Sequence, residues 1–268
     1  MIPNILSIAG SDPSGGAGIQ ADIKAISARG GYAMAVLTGL TAQNTQGVSA
    51  VELVPAAMVA AQIKAIRDDI RVDAVKIGML GSAAIIEAVQ EALDGLDAPV
   101  VLDPVMVAKG GDRLLQAEAV AALRDRLLPR ATVITPNLPE AADLLGCDEA
   151  VNLENMRRQA VDLLALGPRA VLLKGGHLDQ PDSPDLLLAA DMHLDLGGLR
   201  HVTRNTHGTG CTLSSALACE LGHGRLLGEA ARNAKTYTAR AIAHANLLEV
   251  GKGHGPVNHF HAFPFNQE

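Results

Sequence analysis

The chain has 268 residues, 48% of them hydrophobic but only 2% aromatic, so a large aliphatic core of one α/β domain is within reach. A formal net charge of −7 without a basic run argues against nonspecific nucleic-acid binding, because nothing would replace phosphate counterions. The cysteines Cys147, Cys211 and Cys219 show neither CxxC spacing nor an even-numbered framework, which speaks against a zinc or disulfide scaffold and for a reducing cytoplasm.

In chain order, the N-terminal apolar run is too short for a signal peptide, and no later run spans a membrane, so a cytoplasmic protein is expected. Short β-branched runs at Ile5 to Ala9, Ala33 to Leu37, Ala74 to Ile77, Val100 to Leu102, Val133 to Thr135 and Ala170 to Leu173 read as strands. Between them, Ala17 to Ala28, Pro55 to Ile70, Ala83 to Leu93, Ala117 to Leu128 and Leu153 to Leu166 carry helical periodicity. Leu186 to Leu196, interrupted at Asp191, reads as a hairpin at the sheet edge. A β-prone run, His201 to Arg204, precedes two closing helices, Cys211 to Leu221 and Leu226 to Leu248. This alternation predicts a mostly parallel central sheet with helices on both faces. No linker or repeat divides the chain, so one domain over residues 1–268 is expected.

The segment Asn205 to Ala216, NTHGTGCTLSSA, is the most informative. Glycines bracketing Thr209 ahead of a helix leave backbone N–H groups converging at the positive end of a helix dipole, a natural seat for a phosphoryl group. A glycine-rich turn followed by a small buried cysteine explains the turn equally well.

Other strand ends carry polar groups where parallel sheets collect ligands. The first strand runs into GSDPSGGAGIQAD, which is neither a Walker A loop nor a GxGxxG fingerprint. Asp103 follows the strand ending at Leu102, and Lys174 precedes two glycines. TPNLPE supplies Asn137 and Glu140 at capping-box spacing, a role that can coexist with holding magnesium through water. The C-terminal GHGPVNHFHAFPFNQE lacks a carboxylate or cysteine to make His254, His259 and His261 a metal site, and reads as a tail packing Phe260 and Phe263 on the body.

Taken together, AGSDPSGGAGIQADIK, GLTAQNTQGV, VKIGMLGS, VLDPVMVAKGG, ITPNLPEA, LLKGGH, NTHGTGCTLSSALA and GHGPVNHF resemble the ribokinase-like superfamily, and within it the hydroxymethylpyrimidine/phosphomethylpyrimidine kinases of thiamine biosynthesis. The resemblance covers the whole chain and implies a three-layer α/β sandwich. It implies a phosphate-holding turn at Gly208, Thr209 and Gly210, with Thr209 also contacting ATP. Cys211 takes the place where sugar kinases carry an aspartate base, and its own role as base is a hypothesis. Asp103 and Glu140 match the magnesium region, and Asn137 and Lys174 the ATP contacts. Gln43 matches the residue that hydrogen-bonds the aminopyrimidine. Gly10 and Asp22 match the substrate segment, while Met79 and Val105 match the apolar walls around the ring.

The implied activity is ATP- and Mg2+-dependent phosphorylation of 4-amino-5-hydroxymethyl-2-methylpyrimidine, then of its monophosphate. Pyridoxal kinases share the fold and the GTGC turn and are the nearest rival; a silent ligand-binding protein is another. Relatives are often dimers, so a homodimer is expected, while the need for a monovalent cation stays open. The kinase pattern runs to the end of the chain, so no fused thiamine-phosphate synthase domain is expected.

Overall fold

The computed structural model describes residues 1–106 and 117–263, so the second half of the VLDPVMVAKGG motif lies outside the described residues. In chain order the elements are β1 (Asn4–Ala9), α1 (Gly18–Ala28), β2 (Tyr32–Leu37), β3 (Gly39–Asn44), β4 (Gly47–Leu53), α2 (Ala56–Asp69), β5 (Ala74–Ile77), α3 (Ala83–Ala92) and β6 (Val100–Leu102). There follow α4 (Ala117–Ala122), continued by a π turn to Leu127 and a 3₁₀ turn to Arg130, then β7 (Val133–Ile134), α5 (Leu138–Leu145), α6 (Leu153–Ala165) and β8 (Ala170–Lys174). The described chain closes with β9 (Asp185–Ala189), β10 (Met192–Leu196), α7 (Thr209–Gly222) and α8 (Leu227–Ala243).

One eight-stranded sheet has the order β10-β9-β8-β7-β6-β5-β1-β2. Among the described residues it is parallel from β2 through β8, and β9 alone is reversed, pairing antiparallel with both β8 and β10. The period-two alternation of the strands sorts their side chains into two cores. Leu6, Ile8, Val75, Ile77, Leu102, Ile134, Val171 and Leu173 pack with residues of α2, α3, α5 and α6. Their neighbours Ile5, Ala74, Val101, Val133, Ala170 and Leu172 pack with α1, α7 and α8. The fold is therefore the expected three-layer α/β sandwich, of ribokinase-like type. Strand order reverses at β1, which has β2 on one side and β5 on the other, and ligands collect beyond the carboxyl ends of strands at such a switch point. Among the described residues no helix is long and apolar enough to cross a membrane.

Three local expectations need correction. His201 to Arg204 is loop, with Val202 exposed and without a strand partner to reward extension. The hairpin β3–β4 was not expected: it is a separate two-stranded ribbon, and most of its residues are exposed or half-buried, so no apolar alternation marks it. The tail is anchored by Gly255–His259 rather than by Phe263, which packs edge-on against Phe260 but stays exposed.

That anchorage carries a pH dependence. His259 is buried, with Nε2 3.0 Å from Thr212 Oγ1. Burial above all, then Lys24 and His261, hold its folded pKa near about 4 against the ordinary 6.5. Between those values the unfolded chain binds more protons than the native one, so stability is full above pH 6.5 and is lost as pH falls through the window. Lowering pH from 7 to 5 is expected to remove about 2 kcal/mol through this side chain, and thermal melts of His259→Gln should show a correspondingly shallower fall than the parent.

Candidate active site

A continuous cavity of about 960 Å³ opens along the carboxyl ends of β1, β5, β6 and β8. At one end Gly10, Gln43, Met79 and Val105 converge. A Cβ on Gly10 would lie 2.5 Å from Met79 Cε, so a side chain there would displace the end of Met79. Gln43 reaches the cavity from β3, the strand that sequence reading did not anticipate.

At the cavity's middle stands the start of α7. Gly208 occupies the N-cap position with φ +77°, and no side chain caps the helix, so its leading amides face outward without a side-chain acceptor. A Cβ on Gly208 would sit 1.7 Å from the Gly16 carbonyl oxygen, so this turn and the loop after β1 touch backbone to backbone. Thr209 donates both its hydroxyl and, at 3.4 Å, its amide to the Thr206 carbonyl, so the helix-leading amides without a side-chain acceptor begin at Gly210.

The other end holds Asp103, Asn137, Glu140 and Lys174. Lys174 Nζ lies 3.1 Å from Asp103 Oδ1 and 3.9 Å from Glu140 Oε2. Asp103 also accepts from Thr135 Oγ1 at 3.0 Å. The capping box read from TPNLPE is present: Glu140 N donates to Asn137 Oδ1 and Asn137 N to Glu140 Oε2, both at 2.8 Å. Each side chain thus caps α5 through one atom and keeps its other polar atom for the cavity. Burial lowers the Lys174 pKa, but Asp103 and Glu140 outweigh it and hold the ammonium charged. Burial pushes Glu140 up to about 7, with Lys174 opposing and Asp103 adding to the rise.

Among the described residues no three His, Cys, Asp or Glu side chains gather as a metal cage. Asp103 and Glu140, which share one lysine, are hard oxygen donors of the kind that would suit a magnesium ion.

Asp22 does not join the cavity wall, which corrects its expected place as a substrate contact. It is fully buried and accepts from Ser7 Oγ at 2.6 Å, Ser215 Oγ at 2.7 Å and Lys76 Nζ at 2.9 Å on each oxygen. Lys76, on the same face of β5 as Ala74, does line the cavity. Burial lowers its pKa, yet Asp22 overcompensates and holds it charged beneath Cys211. The readable signal was a lysine inside the apolar strand AVKI, since a lysine is almost never fully buried unless paired.

Cys211 lines the cavity beside this pair. Burial raises its pKa to about 11, with Asp22 and Asp103 adding to the rise and Lys76 and the Gly18 amide opposing it. Burial thus overrides the lowering that a helix N-terminus exerts on a thiol, and the free protein carries a neutral thiol at pH 7. Iodoacetamide is expected to modify exposed Cys147 before Cys211, whose alkylation rate should climb about tenfold per pH unit to beyond pH 9. A plateau near pH 8, followed by peptide mass mapping, would contradict this assignment.

Two further residues went unrecognised inside quoted motifs. His207 Nε2 lies 2.7 Å from Asp12 Oδ2, and both side chains line the cavity in buried positions. His207 Nε2 also stands 3.5 Å from Gln43 Nε2.

A family model described as phosphomethylpyrimidine kinase matches residues 12–258. The hydroxymethylpyrimidine/phosphomethylpyrimidine kinase of Escherichia coli K12 is 51% identical over 261 residues, 97% of this chain and 98% of that one. Among solved structures, the phosphomethylpyrimidine kinase of Clostridium difficile is 43% identical with a TM-score of 0.79, covering 90% of this chain and 99% of that one. The ADP complex of Bacillus subtilis pyridoxal kinase is 38% identical with a TM-score of 0.89, covering 97% and 98%.

Proposed function

The chain belongs to the phosphomethylpyrimidine kinase family, and from that premise we propose that it transfers the γ-phosphoryl group of ATP to 4-amino-5-hydroxymethyl-2-methylpyrimidine and then to the resulting monophosphate, in thiamine biosynthesis. One observation carries the reading: the proposed ring contacts Gly10, Gln43, Met79 and Val105 and the proposed nucleotide contacts Asn137, Lys174 and Thr209 line one cavity together with the turn at Gly208 to Cys211.

Phosphoryl transfer asks a protein mainly for positioning and charge stabilisation. In this reading the amides following Gly208 hold the moving phosphoryl group, and Lys174 stabilises charge on its oxygens. Asp103 and Glu140 hold magnesium, which when bound with the nucleotide offsets phosphate charge. Cys211 faces the acceptor oxygen as a neutral thiol and orients it, so the alcohol proton leaves late. It passes to an oxygen of the transferred phosphoryl group once the new P–O bond is largely made and the bond to the ADP leaving group is broken. Lys76, fixed by Asp22, keeps a positive charge under that spot and favours the anionic monophosphate as second acceptor.

The chain is further proposed to be a cytoplasmic homodimer. Exposed apolar residues Tyr32, Leu40, Val51 and Met58, on β2, the β3–β4 ribbon and α2, support a covered face there.

Pyridoxal phosphorylation is the second reading, favoured by a backbone closer to a pyridoxal kinase, at a TM-score of 0.89, than to a phosphomethylpyrimidine kinase, at 0.79. Sequence identity runs the other way, at 51% and 43% against 38%. Steady-state kcat/KM with Mg-ATP should favour the pyrimidine alcohol over pyridoxal by more than about tenfold, a margin in the range hydrogen-bonded sites achieve. The reverse preference would transfer the protein to vitamin B6 phosphorylation.

A further inference from the structure

The ionised Asp12 carboxylate can only accept hydrogen bonds, and it does so from every side. Ser14 N and Oγ donate to Oδ1 at 2.9 and 2.7 Å, and Ala17 N donates to Oδ2 at 2.8 Å. His207 Nε2, 2.7 Å from the same Oδ2, must therefore be the protonated nitrogen. The ring has little freedom to move. A Cβ on Gly16 would lie 2.3 Å from His207 Cδ2, and His207 N donates to the Gly255 carbonyl at 3.0 Å, so the C-terminal GHGPVNHF motif holds the residue from behind.

With its one proton committed to Asp12, His207 Nε2 offers the Gln43 amide no lone pair, and only an oxygen can stand beside it as a second, longer acceptor of that proton. Gln43 Nε2 stands 3.5 Å from His207 Nε2, and Gln43 Oε1 stands 3.2 Å from Thr41 Oγ1, which itself donates to the Ser11 carbonyl at 2.8 Å. Donor thus faces donor and acceptor faces acceptor. A half-turn of the amide reverses both mismatches, placing Oε1 toward the His207 N–H and Nε2 toward the Thr41 hydroxyl oxygen.

We propose that Asp12 and His207 are positioning residues that lock the Gln43 amide with its carbonyl toward His207, and so fix the order of acceptor and donor that the cavity offers a heteroaromatic ring. The proposal rests on the reading of Gln43 as a ring contact. A carboxamide of fixed order matches a ring nitrogen flanked by an exocyclic amino group: the amino group donates to the carbonyl on the His207 side, and the ring nitrogen accepts from the NH2 on the Thr41 side. A ring lacking the amino group leaves the carbonyl unmatched. Selection of the aminopyrimidine over a deamino ring or a pyridine thus depends on a tautomer set two residues away from the substrate.

The test compares kcat/KM for the aminopyrimidine alcohol and its deamino analogue in the parent protein, Gln43→Ala, Asp12→Asn, His207→Phe and the Gln43→Ala/His207→Phe double variant. Asp12→Asn is near-isosteric and can turn a donor toward His207, reversing the tautomer; His207→Phe keeps an aromatic ring on Gly16 and removes the donor. Each single variant is expected to raise the KM for the amino substrate about 10- to 100-fold and to lower the amino-to-deamino preference at least about fivefold, with the ATP KM within about threefold of the parent. The double variant should lose no more than Gln43→Ala alone, because both changes remove the same interaction. A purely structural role would lower turnover of both substrates equally and move the ATP KM, leaving the amino-to-deamino ratio unchanged, and would overturn the proposal. If Gln43→Ala itself leaves that ratio unchanged, the ring contact fails and the proposal falls with it. If Gln43→Ala collapses the ratio while Asp12→Asn and His207→Phe do not, the ring contact stands and the positioning claim alone is lost.

Discussion

Gly208→Ala is expected to lower kcat by at least about 1,000-fold, comparable to the loss of more than one oxyanion-type donor. The cause is geometric: the new Cβ would stand 1.7 Å from the Gly16 carbonyl oxygen, and the position needs φ +77°. Because the obstructing atom is backbone, relief requires the loop after β1 to part from the start of α7, which scatters the amides meant for the phosphoryl group. Gly210→Ala makes the contrast. Its Cβ would lie 3.3 Å from Lys174 Nζ and 3.5 Å from Asp103 Oδ2, so the methyl group fits but intrudes where the phosphoryl group passes. That variant should keep its melting temperature and lose about 100-fold in kcat. Steady-state kinetics with thermal melts separate the two, and a Gly208→Ala protein with near-parental kcat would remove the phosphate turn from the account.

Asp22→Ala should be the most destabilising single change outside that turn. It leaves the Lys76 ammonium buried without its counter-ion and strips Ser7 and Ser215 of their shared acceptor. Breaking one side of a buried pair costs about 3–5 kcal/mol, because an uncompensated charge remains. For a chain of this size that amounts to a melting-temperature fall of about 6–15 °C. Replacing both charges together, as Asp22→Asn/Lys76→Met, should recover most of the stability, since an apolar substitute for a whole buried pair is often neutral. It should not recover turnover, because the positive charge beneath Cys211 is gone. Equal activity in the double variant and the parent would show that the pair serves folding alone.

The layout of strands and helices was legible because both cores are aliphatic and sorted by strict periodicity. Leu6 and Ile8 belong to one core and Ile5 to the other, and the same alternation repeats along β5, β6 and β8. The glycine turn ahead of α7 was legible because two glycines bracket Thr209 just before a helical run, and Gly208 does take the N-cap position at φ +77°. What stayed hidden lacked a local signal. The β3–β4 ribbon is too exposed for an apolar pattern, although it delivers Gln43. Asp22 was placed by motif position, whereas its environment depends on Ser7, Lys76 and Ser215, up to 193 residues away. Asp12 and His207 are separated by 195 residues, so their pairing exists only once β1 and α7 share a layer edge. The Cys211 thiol stands at a helix N-terminus in sequence, but burial is the largest influence on it, followed by Lys76 and then the carboxylates Asp22 and Asp103, all brought in by the fold.

The central claim is that one cavity performs two successive transfers on the same ring. A time course with excess Mg-ATP, started from the aminopyrimidine alcohol and resolved by mass, tests it most directly. The account predicts that the monophosphate rises and then falls as the diphosphate accumulates, with two ADP released per ring. Accumulation of the monophosphate as a stable end product, with one ADP released, would contradict it.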